Sequence, residues 1–345
     1  MMQIMRMSPH DDPRWGHFVE SHPRALVFHH PLWMRVLEET YGYRQASLAC
    51  VEQEVVVGVL PLLEIASRLT GKRAVCLPFS DYAYPLIRRT AALDVLLDAC
   101  EQQREEHHWN TVEIRARISH PAAFPSARYF VHQLPLRSDP DAVFRTFTKG
   151  RTQAAIKQCE RYGVIIERRT DAGAMAQFRQ LNYRTRKKHG LPPQPDRFFD
   201  NVHRLLLSAG FGFVSIALFE GAPIAASVFL HYQGKLYHKF NASDERFLRV
   251  RPNHGILWDA IRWGCLQGFH RIDLGRSDLE GEGLLHYKRG WGTTESDLEY
   301  FRFSGGTPAA PASQGGMLEA MKPILQHMPI PVLRVLGNIL YEHVG

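Results

Sequence analysis

The chain is poor in the features that would place it in several large protein classes. It has only five cysteines, Cys50, Cys76, Cys100, Cys159 and Cys265. They are scattered, odd in number and never in CxxC spacing, so they read as buried thiols rather than a disulfide framework or a zinc site. Nowhere do about 18 apolar residues run together, so no membrane-spanning helix is expected. The start, MMQIMRMSPHDDPRWGHF, is broken by Arg6, Pro9 and two aspartates and lacks the apolar stretch of a signal peptide. A cytoplasmic protein is the expectation. There is no glycine-rich P-loop and no GxGxxG after a strand, which argues against nucleotide hydrolysis and Rossmann-type cofactors. No metal site is expected.

What remains is ordinary globular material: 345 residues, 45% hydrophobic, enough for two domains with sizeable cores. The two halves share an order of elements. In the first, SLACVE (47–52) and VVVGVLPLLEI (55–65) form a hairpin, KRAVCLP (72–78) a third strand, 91–107 a helix, and TVEIRA (111–116) a strand. In the second, FVSIALFE (213–220) turns at Gly221-Ala222-Pro223 into IAASVFLHY (224–232). KLYHKFNAS (235–243), a helix over 253–268 and RIDLGRS (271–277) follow. An offset of roughly 160 positions points to duplication of one unit. Helices precede each copy, over 30–42 in the first half and over 141–163, 174–190 and 197–210 in the second. The fold class expected is α+β: two tandem domains, each a mostly antiparallel sheet flanked by helices. The expected divisions are 1–138, 139–303, a linker over 304–316 and an amphipathic tail over 317–345.

Positive charge is concentrated. Residues 141–190 hold twelve Lys or Arg against four Asp or Glu, a local +8 where the whole chain carries +7. Such a surface favours phosphate-bearing partners: coenzyme A, tRNA, a pyrophosphate-linked lipid or an anionic membrane. The alternative is a solvated helix face.

The runs FHHPLWMRVLEETYGY, GVLPLLE and LPFSDYAYPL, then TKGRTQAAIKQCERYGV, RVRPNHGILWDAIRWGCLQGFHRIDLGRSD and LLHYKRGWG, resemble the Fem-like (FemAB-related) aminoacyl and acyl transferases of the GNAT acetyltransferase superfamily, near their envelope and exopolysaccharide branch. The likeness reaches to about residue 303. It implies two GNAT-like domains, a peptidoglycan precursor or envelope glycan as acceptor, and aminoacyl-tRNA or acyl-CoA as a co-substrate that is not permanently bound. The coiled-coil insertion that some Fem enzymes use is missing. By this resemblance Lys288 neutralises charge at the reacting carbonyl or leaving group, Asp81 faces the acceptor, and Arg186 lies near acceptor phosphates.

The residues carry reasons of their own. Acyl transfer to an amine needs a cation or N–H aimed at the developing oxyanion and a route for the amine's proton. Lys288 precedes the Gly290-Trp291-Gly292 turn, where a substrate can come close; a surface lysine on a strand edge is the plain alternative. Arg251, Asn253, His254 and Gly255 open a helix whose N-terminus suits an anion, or Asn253 is simply its N-cap. Asp273, on an apolar strand, and Asp278, just after it, could orient a base or the amine; a salt bridge from Asp273 to Arg271 or Arg276 is equally readable. His254 and His286 are candidate bases. Tyr82, Arg151, Tyr237 and Tyr287 complete the candidate binding set. In the tail, Leu333, Leu336, Ile339 and Leu340 read as one apolar face with Arg334 on another, docking on the protein or on the inner membrane surface. A non-catalytic tandem domain holding a phosphorylated ligand or RNA is the second reading of the whole chain.

Overall fold

A computed structural model describes residues 1–305 and 316–344, excepting the side chains of 316–320. Most of the expected linker at 304–316 therefore lies outside the described residues. The chain divides into two compact units. Unit 1 is Met1–Tyr129 with the described parts of Leu298–Gly315 and Asn338–Gly345; unit 2 is Phe130–Asp297 with Gly316–Gly337. The sequence reading set one boundary within 136–142; the structural division falls instead inside two long strands, and unit 1 regains chain after unit 2.

In chain order unit 1 holds β1 (Met2–Arg6), α1 (Pro13–Glu20), α2 (Pro31–Tyr41), β2 (Arg44–Gln45), β3 (Leu48–Glu52), β4 (Val55–Leu60), β5 (Leu63–Ser67), β6 (Gly71–Val75), β7 (Leu86–Ile87), α3 (Ala91–Glu106) and β8 (Thr111–Ile114). Strand β9 (Ala123–Pro135) leads into unit 2. There follow α4 (Pro140–Phe144), α5 (Ala154–Arg161), β10 (Ile165–Arg169), α6 (Ala172–Lys188), α7 (Asp196–Asn201), β11 (Gly212–Phe219), β12 (Ala222–Tyr232), β13 (Lys235–Ser243), α8 (Pro252–Leu266), β14 (Arg271–Asp278) and α9 (Glu282–Arg289). Strand β15 (Thr294–Phe303) returns to unit 1, and α10 (Gly316–His327) and α11 (Ile330–Leu340) form the tail.

Local chemistry explains most boundaries. Helix α2 starts at Pro31 and stops at Gly42, whose φ of 70° a glycine adopts without strain. Three two-residue hairpin turns, Gln53-Glu54, Glu220-Gly221 and Gln233-Gly234, have positive φ at both positions, the geometry that matches strand twist. The β11–β12 turn is thus Glu220-Gly221, and Pro223 lies inside β12 rather than in the turn.

Each unit contains one parallel strand pair joined across a helix, as parallel pairing requires. In unit 1, β6 and β8 pair through Arg73↔Thr111, Ala74↔Val112 and Val75↔Glu113, with α3 between them in sequence. In unit 2, β13 and β14 pair through Lys235↔Arg271, Leu236↔Ile272 and Tyr237↔Asp273, with α8 between. The two registers are offset by 162 and 160 residues, so the repeat read from element order is present in the strand pairing itself.

The core of unit 2 packs Ile256, Leu257, Ala260 and Ile261 of α8 against Phe213, Phe229, Leu236 and Ile272 of the sheet. Gly255 lets α5 approach: a Cβ there would lie 2.5 Å from Cys159 Sγ. The helix expected over 141–163 is not continuous. It breaks after α4, and Lys149–Gln153 forms a wide π turn before α5. The helix expected over 197–210 likewise ends as a π turn, Val202–Leu207. Strands β1, β9 and β15 were not read from sequence; β9 carries Pro125, which masks a strand pattern.

The tail docks on the chain. In unit 2, Leu325 and Leu333 are buried, and Gly337 packs so tightly that a Cβ would lie 2.0 Å from Pro193 O. Arg334 pairs with Asp196 and sits over the Tyr183 ring. In unit 1, Tyr43 Oη donates to Tyr341 O and Val344 O, both at 3.1 Å. Of the apolar face expected for the tail, Leu333 is buried, Leu336 and Leu340 are half-buried and Ile339 is exposed, as are Val332 and Val335 outside that face. Among the described residues no helix is long and apolar enough to cross a membrane.

Candidate functional site

In unit 2 the pairing of β13 with β14 ends at Tyr237↔Asp273, and the strands part beyond it. The residues at the parting are polar in a core that is otherwise apolar. Asp273 is buried and accepts from Gly275 N (2.7 Å) and Gln133 Nε2 (2.8 Å). Arg271 reaches it through Gln133, whose Oε1 accepts from Arg271 Nη1 at 3.4 Å. Both carboxylate oxygens of Asp273 thus hold β14 in shape. Asp278, at the far end of β14, is exposed.

Lys288 is not a surface lysine on a strand edge. It lies on α9, is 6% exposed, and its Nζ donates at 2.9 Å to both Gly275 O and Arg276 O of β14. The ammonium satisfies carbonyls of β14 just past the parting. Two histidines, His132 buried and His238 half-buried, feel its charge. His238, the first residue of β13 beyond the pairing, is pushed down to about 4 by burial and then by Lys288. His132 on β9 is pushed down to about 4 by burial, then Lys288 and Arg289, with Glu295 opposing. Both are neutral near pH 7. Neither was singled out from sequence; eighteen histidines offered no spacing signal, and only the fold brings these two to Lys288.

The start of α8 adjoins α9. The His254 ring lies 5.2 Å from Tyr287 and 5.7 Å from Trp291, and burial together with Arg251 and Arg151 pushes it down to about 4. Burial pushes the Tyr287 hydroxyl well above its ordinary value. His254, expected as a candidate base, is therefore a neutral ring packed between aromatic side chains. The N-cap of α8 is Arg251, not Asn253, with Pro252 at the first helical position. Arg251 holds a left-handed φ of 57°, uncommon outside glycine, and its Nε donates to Gln158 Oε1 at 3.3 Å. Asn253 turns inward, its Nδ2 reaching Ser243 Oγ at 3.4 Å while its Oδ1 is buried without a hydrogen bond. Arg151, in the π turn, lies against Gly290, where a Cβ would fall 2.6 Å from Nη2; its Nε is buried and unpartnered. A buried orphan donor and a fifteen-residue helix start thus stand at one place.

The other candidates lie apart from this cluster. Arg186 is at the Pro-rich end of α6, its Nε donating to Pro192 O at 3.2 Å. Tyr237 occupies the last paired position of β13 and is buried. His286 is on α9. Asp81 and Tyr82 belong to unit 1, in a loop where Leu77 and Phe79 both have positive φ. Arg115 Nη1 pins that loop by donating to Ser80 O (2.9 Å) and Leu77 O (3.4 Å), and Tyr300 Oη donates to Asp81 O.

At least six of the twelve cations of the basic window pair with carboxylates, five of these from elsewhere in the chain. Arg168 pairs with Asp259, Arg179 with Asp200, Arg184 with Asp244 and Lys188 with Glu245. Lys149, Arg151, Lys157, Arg161 and Lys187 have no ion-pair partner among the described residues. Four of these five free cations lie on 149–161, toward the α8 end of the site.

Two domains of mixed helix and antiparallel-rich sheet, each with a parallel pair around a crossover helix, define a tandem GNAT-like fold. Residues 145–289, which span the parting, Lys288 and the α8 start, match the family model of the acetyltransferase (GNAT) domain. Over 86% of this chain and 96% of its own, the crystal structure of FemX superposes with a TM-score of 0.69 at 15% identity. The C-terminal domain of an Agrobacterium fabrum protein described as a lysylphosphatidylglycerol synthetase superposes with a TM-score of 0.58 at 10% identity, covering 93% of this chain and 96% of that one. A tandem GNAT protein from the clavulanic acid biosynthesis pathway gives 0.55 at 11% identity, over 90% and 100%. No curated protein matches the chain.

Proposed function

We propose that this protein transfers an acyl or aminoacyl group to an amine of a peptidoglycan precursor or cell-envelope glycan, with unit 2 as the transferring domain. The observation that carries the reading is the parting of β13 from β14 with a buried ammonium beside it and a helix start at one end. The neighbours in structure, FemX and a lysylphosphatidylglycerol synthetase, support a transferase of this broad kind by their names, and the acetyltransferase match supports acyl transfer.

In this reading the donor's phosphates sit at the start of α8 between Arg151 and Arg251, where amide N–H groups and the orphan Arg151 Nε meet them. The acyl carbonyl enters between β13 and β14. The acceptor nitrogen attacks the carbonyl carbon, the C–S bond of a thioester or C–O bond of an aminoacyl ester breaks, and the amine's proton leaves to solvent or to the departing group. Lys288 stabilises the charge that develops on the carbonyl oxygen or leaving group. A slot between two strands favours acyl-CoA as donor. A peripheral contact with the inner membrane through Val332, Val335 and Ile339 would suit a lipid-linked acceptor.

The test is thermal unfolding with and without millimolar acetyl-CoA. A donor at about 100 times its Kd adds roughly 2.7 kcal/mol to stability. A shift that disappears in Arg251→Ala supports the reading with CoA as donor. No shift with acetyl-CoA, and none with charged tRNA, removes the transferase in favour of a binding protein for another phosphorylated ligand.

A further inference from the structure

The proton inventory around His238 has a definite solution. Ser227 on β12 stands opposite Asn241 on β13, and its hydroxyl donates to Asn241 Oδ1 at 2.8 Å. A serine has one proton to give, and an amide oxygen can only accept. The 3.0 Å bond between Ser227 Oγ and His238 Nε2 must therefore run the other way, with Nε2–H donating. That fixes the tautomer: Nδ1 carries the lone pair. Nδ1 takes no hydrogen bond from a described residue, and His238 is half-buried rather than sealed in the core. The ring is held flat on Phe229, with centroids 4.9 Å apart and planes 18° apart, so Nδ1 has one direction. His238 is also the first residue of β13 past its last pairing with β14, at the mouth of the parting.

We propose that His238 Nδ1 is the hydrogen-bond acceptor that orients the nucleophilic amine, aiming the nitrogen lone pair at the acyl carbon, and that Ser227 and Asn241 exist to hold it in that tautomer. The assignment rests on the acyltransfer reading above. It describes an orienting contact and not a proton sink: burial, and then the Lys288 charge nearby, disfavour an imidazolium, so the ring stays neutral while the proton leaves by another route.

Two substitutions separate the ring's two nitrogens. In His238→Asn the side-chain oxygen can take the place of Nδ1; in His238→Gln the amide nitrogen can take the place of Nε2 and keep the Ser227 bond. Transfer from acetyl-CoA and, in parallel, from alanyl-tRNA is measured to a lysine-bearing stem pentapeptide and to chitosan oligosaccharide. Loss of orientation of a reacting group costs about 100-fold. The expected result is a fall of that order in kcat for His238→Gln, partial recovery in His238→Asn, and unchanged stabilisation by the donor in both. Gln as active as wild type, or Gln more active than Asn, overturns the assignment while leaving the transferase reading intact. A wild type that transfers nothing from either donor overturns both together.

Discussion

The two units place an acid at the same step of the same parallel pair and then diverge. In unit 1 it is Glu113, in register with Val75; in unit 2 it is Asp273, in register with Tyr237. Two residues on, unit 1 has Arg115 and unit 2 has Gly275, at the 160-residue offset of the strands. Arg115 pairs with Glu113 (3.1 Å), reaches across to Leu77 O and Ser80 O, and Cys76 N donates to Glu113 O at 2.8 Å. The chain thereby sews its own parting shut, with Arg302 completing the charge balance on Glu113 at 2.6 Å. Gly275 has no side chain to do this, and a lysine from α9 satisfies its carbonyl instead. One unit uses the position to close its parting, and the other leaves it open where the transfer is proposed to occur.

The sharpest way to break this contrast is to give unit 2 the seal of unit 1. Gly275→Arg should abolish transfer and donor-induced stabilisation; the positive φ of 72° adds strain, so Gly275→Ala serves as control for the backbone effect alone. Lys288→Met should lower the transfer rate by about 10²–10³-fold, the usual cost of removing a charge-stabilising donor, as read by kcat with circular dichroism as the folding check. In unit 1, Glu113→Gln should leave two buried guanidiniums short of charge and cost roughly 3–5 kcal/mol in denaturant unfolding. Donor-induced stabilisation should survive at a temperature where the variant is folded.

Acid should act more strongly on unit 2; in unit 1 burial lowers His30 as well, but less than it lowers the three histidines of unit 2. His132, His238 and His254 have folded values near 4 against about 6.5 unfolded, so unfolding takes up protons below pH 6.5. Their contribution is complete above pH 6.5 and is lost as pH falls toward 4. Glu113 is held below its ordinary value, so its contribution persists to lower pH. Fluorescence of a variant retaining only Trp258, Trp263 and Trp291 should change before one retaining only Trp15, Trp33 and Trp109. Coincident transitions would erase the distinction. The smallest effect expected is at Arg251→Gly: about 1 kcal/mol of stabilisation from relief of the left-handed backbone, with donor affinity weakened roughly tenfold by loss of the cation.

The repeat was legible because hairpins, turns and β-branched runs recur at a fixed offset, and these are local signals. Lys288 was legible as a residue but not as a helical one: the glycines at 290 and 292 read as a strand turn, although Leu285 and Lys288 share the buried face of α9. The pairing of the charge at 141–190 was not legible because the counter-ions Asp200, Asp244, Glu245 and Asp259 come from outside the window. His238 was invisible for a related reason. Its meaning depends on Ser227, Asn241 and Lys288, three residues from three separate elements, and no spacing in a single sequence ties them together.

The close approach of α5 to α8 at Gly255 has a practical corollary. Cys159 Sγ fills the place a side chain would take there, and burial pushes its thiol up to about 11, which makes it inert while the helices stay together. A thiol reagent can modify it only when α5 lifts from the start of α8. The alkylation rate of this one sulfur, followed by mass spectrometry of its peptide, is then a built-in clock for breathing at the donor end of the domain, and a bound donor should slow it.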